Sequence, residues 1–137
     1  MKIKEVELRT IYLPLVRPFR TSFGTQTSRE VLIVKVTNEN GTAGWAECVA
    51  MSEPLYSPEY VAGCIDLIKR FLIPALKAKP EIKAEDVATD LKPFFAGQWA
   101  KASLEAAILD AQLKRTKKFH LLHTLGLLKV RLSVVYQ

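Results

Sequence analysis

The residues from Arg17 to Arg29, RPFRTSFGTQTSR, concentrate more usable chemistry than any other stretch of the chain. Three bases (Arg17, Arg20, Arg29) stand there without an acid, beside two phenylalanines (Phe19, Phe23) and five hydroxyls. Uncompensated positive charge attracts an anion, and the rings offer apolar contact. The composition suits an anionic, partly apolar ligand such as a carboxylate. A connection of this length exceeds a simple hairpin loop, and such loops often serve as lids or binding loops. A second stretch, residues 50–57 (AMSEPLYS), offers Met51 and Tyr56. Both stretches flank the same strands, so both are expected to face one side.

Elsewhere the chemical signal is thin. There is no P-loop, GxGxxG, CxxC pair, HExxH or nucleophile elbow. Cys48 and Cys64 sit in apolar runs and read as packing residues. His120 and His123, spaced i,i+3, lack the third and fourth ligands of a zinc site. Glu5, Glu7, Glu39, Glu59, Glu81 and Glu85 read as solvated faces or helix starts. Glu47 differs, because it lies in GWAEC at the end of an apolar strand. A buried carboxylate there needs a hydrogen bond or an ion pair, and a structural salt bridge is the expectation.

Composition bounds the classes. The chain has 137 residues, 49% hydrophobic and 25% charged, an ordinary globular balance. A complete (β/α)8 barrel needs about 250 residues and is excluded within this length. Two cysteines make no disulfide framework. The net charge of +6 is uneven: residues 111–137 hold six bases and no acid, and the remainder balances. That basic stretch lacks an aromatic platform for nucleic acid beyond Phe119 and Tyr136, so no nucleic-acid partner is expected. No targeting or membrane-spanning run is visible, and a cytoplasmic location without membrane attachment is the expectation.

The elements that must position these residues follow from periodicity. Val6, Leu8, Thr10 and Tyr12 alternate with Glu5, Glu7, Arg9 and Ile11 in a strand over 3–13, which Pro14 is expected to end before a loop over 14–29. Residues 30–37 (EVLIVKVT) form a buried strand, Asn38–Gly41 a turn, and Thr42–Val49 the returning strand. Ser57-Pro58-Glu59 then starts a helix running to about residue 73, where Pro74 disturbs it. A short helix fits 84–92, and a third spans Gln98 to Arg115. Its apolar row is read as Trp99, Ala102, Ala106, Leu109 and Leu113, with outer pairs Lys101–Glu105 and Asp110–Lys114 and alanines that admit a neighbouring helix. The fold class is α+β: a three-stranded antiparallel meander followed by a three-helix bundle. Residues 119–128 are apolar, and 130–136 read as a strand with no partner.

Three segments also carry a resemblance: PLVRPFRTSFGTQTSREVLIVKV, NGTAGWAECVAMSEPLYSPEY and AKASLEAAILDAQLK. Together they resemble the N-terminal capping domain of the enolase superfamily, within its muconate lactonising enzyme subgroup. They are most similar there to o-succinylbenzoate synthases related to N-succinylamino-acid racemases. The resemblance covers residues 1–118. It implies a domain that closes over a (β/α)8 barrel in which carboxylates hold Mg2+ and lysines act as acid and base. One lysine removes the proton α to a carboxylate, and Mg2+ stabilises the ene-diolate. In the synthase a β-hydroxyl then leaves as water, dehydrating a cyclohexadiene carboxylate in menaquinone biosynthesis. The resemblance further implies that 17–29 and 50–57 are mobile specificity loops. It carries Phe19, Ser22, Phe23 and Tyr56 over as contacts to a small carboxylate substrate. Dipeptide epimerases and muconate cycloisomerases share this layout, and a stand-alone carboxylate-binding module is the alternative outside the enzymes.

The family pattern fails toward the C-terminus. No Lys-x-Lys strand and no acid follow Asp110, although Leu125-Gly126 echoes a family Leu-Gly. Residues 119–137 are therefore expected to be a truncated or frame-shifted remnant leading toward an absent barrel. The chain alone is expected to bind no cofactor, to lack catalytic and metal residues, and to self-associate through the uncovered docking face.

Overall fold

The β-branched run at residues 30–37 builds the centre of a three-stranded antiparallel sheet in the order β1-β2-β3. The computed structural model describes residues 1–22 and 24–116. Strand β1 spans Ile3–Thr21, β2 Gly24–Asn38 and β3 Ala43–Cys48. One face carries Val6 and Leu8 opposite Val36 and Val34, with Gly44 and Ala46 beyond them. This is the face that the alternation at the N-terminus marks as apolar, and it packs on the helices. The other face mixes charged residues (Glu7, Arg9, Lys35, Glu47) with Ile11, Ile33 and Trp45. Glu7 accepts hydrogen bonds from Arg9 at 2.5 Å and from Lys35, and the Lys35 ammonium stands 5.3 Å from the Trp45 ring centroid.

The expected loop over 14–29 is instead a continuation of both strands. Pro14 still pairs with Ser28, and pairing resumes at Phe19–Gln26 to close at Thr21–Gly24. Residues 15–18 therefore oppose the single residue Thr27 in an extended bulge. Pro14 does not stop the strand because β1 is an edge strand, where a missing outward N–H breaks no ladder. Pro18 sits within the bulge, the other position where a sheet tolerates proline. Strand β3 pairs with β2 only over Leu32–Thr37. Beyond that the β1–β2 hairpin projects as a two-stranded arm.

The expected turn at Asn38–Gly41 is present. The buried Asn38 Oδ1 accepts the N–H groups of Asn40 at 3.0 Å and Thr42 at 2.9 Å.

Three helices follow, as expected. The first, α1, starts at Val61 rather than Ser57 and runs through Val61–Leu67, a π-helical turn Ile68–Leu72, and Ile73–Lys77. Its late start has a cause: Met51 and Tyr60 form a parallel bridge, and the Val61 N–H donates to the Met51 carbonyl at 2.8 Å. That bridge holds residues before Val61 extended, and the Ser57 hydroxyl accepts the Glu59 N–H at 3.1 Å in a local turn instead of capping a helix. Pro74 does not end α1. The wide π turn before it absorbs the hydrogen bond that proline cannot make. Helix α2 spans Ala84–Asp90, and α3 spans Gln98–Arg115.

The buried residues of α3 are Ala100, Ser103, Leu104, Ala107, Ile108, Ala111 and Leu113. Leu113 is buried as expected, but the rest of the expected row is corrected: Ala102 and Ala106 are exposed, and Trp99 and Leu109 are half-buried. The alanines admit strand β3 rather than a neighbouring helix. A Cβ on Gly44 would stand 2.0 Å from the Ala107 carbonyl oxygen and 2.3 Å from the Ala111 nitrogen. Of the two expected ion pairs, Asp110–Lys114 forms at 2.6 Å. Lys101 turns instead to the Phe94 carbonyl. The core between sheet and helices gathers Leu32, Val34, Val36, Ile68, Leu72, Leu104 and Ile108. No helix among the described residues is long and apolar enough to cross a membrane. His120, His123, Leu125-Gly126 and the strand expected at 130–136 lie outside the described residues.

Candidate functional site

The even-numbered face of β2 does two jobs. Over Leu32, Val34 and Val36 it is core, and over Gln26, Ser28 and Glu30 the same alternation carries it past the helices into a cavity of about 430 Å3. From β1, Leu15, Arg17 and Phe19 enter the same wall at every second residue. The opposite wall is Val49 to Ser52, the segment that leaves β3. The stretches 17–29 and 50–57 thus meet on one side, as expected, although the first is an arm of sheet rather than a loop.

Charge within the cavity is mostly compensated. Arg29 pairs with Glu47, which realises the structural salt bridge expected of that carboxylate. Glu30 accepts the Tyr12 hydroxyl at 3.1 Å, and this hydrogen bond raises the phenol above its ordinary pKa. The Arg17 side chain makes no hydrogen bond or ion pair among the described residues. Its guanidinium is a donor fork beside the apolar Leu15, Phe19 and Met51, an arrangement that can take a carboxylate on a hydrocarbon stem.

The four expected contact residues are placed unequally. Phe19 lines the cavity and is 57% exposed. Ser22 is exposed at the tip of the arm, and Tyr56, 73% exposed, stands outside the cavity wall. Phe23 lies outside the described residues. Arg17 was missing from that set. Period two counted from Val6 and Leu8 puts it on the opposite face, and the bulge between Pro14 and Phe19 is what brings it to the cavity.

Two further features carry chemistry. The Glu59 carboxylate accepts the N–H groups of Gln98 at 2.8 Å and Trp99 at 3.0 Å, capping α3 from a distant segment. Its oxygen also accepts the Cys64 thiol at 3.8 Å. Cys64 and Cys48 are both buried free thiols. The Cys64 side chain draws Cys48 down to about 7, against the effect of burial. The Cys48 side chain, with burial and the Glu59 carboxylate, pushes Cys64 up. Among the described residues, no three His, Cys, Asp or Glu side chains gather as a metal seat.

Residues 4–126 match the N-terminal domain of the mandelate racemase / muconate lactonizing enzyme family. The chain belongs to this family. An N-succinylamino acid racemase of Amycolatopsis sp is 48% identical over 114 residues, which is 83% of this chain and 31% of the racemase. An o-succinylbenzoate synthase of Geobacillus stearothermophilus is 36% identical over 115 residues, again 31% of its own length. The chain thus spans under a third of these curated relatives. Among solved structures, an enolase-superfamily member of Listeria innocua Clip11262 superposes with a TM-score of 0.81 at 32% identity, covering 85% of this chain and 32% of that one. The L-Ala-D/L-Glu epimerase of Bacillus subtilis superposes at 0.72 with 30% identity over 85% of this chain and 32% of its own. As a mandelate racemase / muconate lactonizing enzyme N-terminal domain, the chain has the α+β architecture of these neighbours.

Proposed function

We propose that this chain is a substrate-selecting cap, residues 1–118, of a Mg2+-dependent o-succinylbenzoate synthase or N-acylamino-acid racemase. It closes over a (β/α)8 barrel supplied by sequence beyond it. The single observation that carries this reading is the cavity between the arm and residues 49–52, with Arg17, which has no partner among the described residues, beside Leu15, Phe19 and Met51. The racemase and synthase names above share a succinyl group, a carboxylate on a short apolar stem. Arg17 holds that carboxylate, and Phe19 and Met51 flank its stem. Ser22, Phe23 and Tyr56 complete the contact once the cap is seated on the barrel. Val16, Leu55 and Tyr56, all exposed, belong to the seating face. Left uncovered, that face self-associates, which light scattering across a concentration series reads as rising mass.

The described residues do not fit a Mg2+ seat. The cap binds, orients and excludes water. Calorimetry of the chain with o-succinylbenzoate and with an N-succinylamino acid tests the reading. A weak saturable heat, lost in Arg17→Gln, is expected. Absence of heat at millimolar ligand overturns the cavity assignment, and Mg2+-dependent turnover by the chain alone, abolished by EDTA, overturns the role of cap.

A further inference from the structure

The ligand cavity has two walls, and one ion pair ties them at their root. The last rung between β2 and β3 is Leu32–Cys48. Past it, β2 has no neighbour on the β3 side, and the arm is the β1–β2 hairpin alone. Arg29 stands just beyond that rung, and its guanidinium donates to the Glu47 carboxylate on β3, reaching back across the open flank. Arg29 lies between Ser28 and Glu30, and all three line the cavity. Glu47 closely precedes Val49, where the opposite wall begins. That second wall is anchored separately: Met51 bridges Tyr60, and its carbonyl accepts the Val61 N–H at 2.8 Å. The Tyr12–Glu30 hydrogen bond joins β1 to β2 and stays inside the arm.

The arm is a lever. Gln26 pairs with Phe19 near its far end. From Leu32 to Gln26 the strand runs about 20 Å, at ~3.3 Å per residue, so a tilt of about 10° at the root carries the Phe19–Gln26 rung about 3.5 Å. A displacement of that size moves Arg17 and Phe19 away from Met51. A half-exposed ion pair contributes little to global stability. Placed at the root, the same pair governs the far end through the length of the arm.

We propose that Arg29 and Glu47 are positioning residues: their ion pair sets the angle of the arm, and through it the distance between Arg17 and Phe19 on one wall and Met51 on the other. The angle is independent of what the cavity binds. Its effect on a succinyl ligand rests on the function proposed above. Charge and position predict opposite outcomes at Glu47. Glu47→Gln leaves the Arg29 guanidinium uncompensated beside the cavity, so charge alone would tighten an anion. Loss of the arm's angle weakens it.

Two measurements on the 137-residue chain test the proposal. Pulsed EPR reads the distance between spin labels on Thr25→Cys, in the arm, and Glu53→Cys, just past the opposite wall; both positions are exposed. Cys48 and Cys64 are 1% and 2% exposed, and the chain without added cysteines sets the label background. Calorimetry with o-succinylbenzoate uses the unlabelled variants. The labelled parent is expected to show one narrow distance distribution, broadened in Glu47→Gln and in Arg29→Gln and narrow again in Glu47→Asp. The Kd of Glu47→Gln should rise about three-fold, within the two- to five-fold that an exposed pair carries, with a urea midpoint near that of the wild type. The double Gln variant should bind no more weakly than Arg29→Gln, because the pair is already broken. An unchanged distance distribution in Glu47→Gln overturns the proposal, and so does tighter or unchanged binding by that variant. If the wild type gives no heat, the ligand reading falls and the distances alone decide: broadening upholds the positioning role, and parent-like widths overturn it.

Discussion

Asp110 Oδ2 accepts the backbone N–H of Trp45 at 2.9 Å, and Lys114, one turn later on α3, donates to the carbonyl of Ala43 at 3.2 Å. The two side chains pair with each other at 2.6 Å. An acceptor and a donor from a helix thus occupy the open edge of β3, where another strand would otherwise bind. This edge is covered from within the chain, and the opposite edge is blunted by Pro14 and the bulge.

Asp110→Ala removes the acceptor for Trp45 and the partner of Lys114 together. A loss of about 1 kcal/mol is expected for a hydrogen bond to a charged group at a half-exposed site. Urea unfolding measures it, and unchanged stability refutes the edge-cover role.

Two glycines separate crowding from backbone conformation. Gly44→Ala drives a Cβ into the α3 backbone, and a loss of about 3 kcal/mol or more is expected. Gly41→Ala meets open space, but the residue sits at φ +82°, so about 1 kcal/mol is expected. Denaturant midpoints should rank the two in that order.

Glu59→Ala leaves the Gln98 and Trp99 N–H groups without their carboxylate, and about 1 kcal/mol is expected from the lost cap. Glu59→Gln keeps an acceptor and loses the charge, so its cost should be smaller. Equal costs for the two variants in thermal unfolding would show that the hydrogen bonds contribute nothing and that charge alone matters.

The hydrogen bond from Lys35, reinforced by Arg9, holds Glu7 below its ordinary value of 4.5. A carboxylate with a depressed native pKa stabilises the fold above its unfolded pKa, and that contribution is lost as pH falls through the native pKa. Thermal midpoints of the wild type should therefore fall on acidification below about pH 4.5. Glu7→Gln should flatten that part of the curve, and an unchanged acid limb would refute the assignment.

Much of this fold was legible from local pattern. The β-branched run at 30–37, the Asn38–Gly41 turn and the helix from Gln98 to Arg115 each follow from their own residues. What escaped was decided at a distance. Pro14 reads as a stop unless β1 is already known to be an edge. Helix α3 offers two rows at the same spacing, and the larger residues of the Trp99 row outweighed alanines whose value depends on Gly44 across the interface. Glu59 reads as a helix start because its partners, Gln98 and Trp99, lie in another element. At the site, the meeting of 17–29 with 50–57 was foreseeable from chain order. The inward turn of Arg17 was not, because it required the register of a strand that had been read as a loop.

The arm also bears on how such a domain diversifies. Its cavity wall occupies every second residue, and beyond the bulge it leans on no third strand. Adding two residues to each strand at the tip lengthens the wall and preserves which side chains face inward. Adding one to a single strand below the tip slips its register and turns the side chains beyond the insertion to the other face. Lineages could thus remodel ligand reach in even steps at the tip, leaving the hydrophobic centre of the sheet untouched.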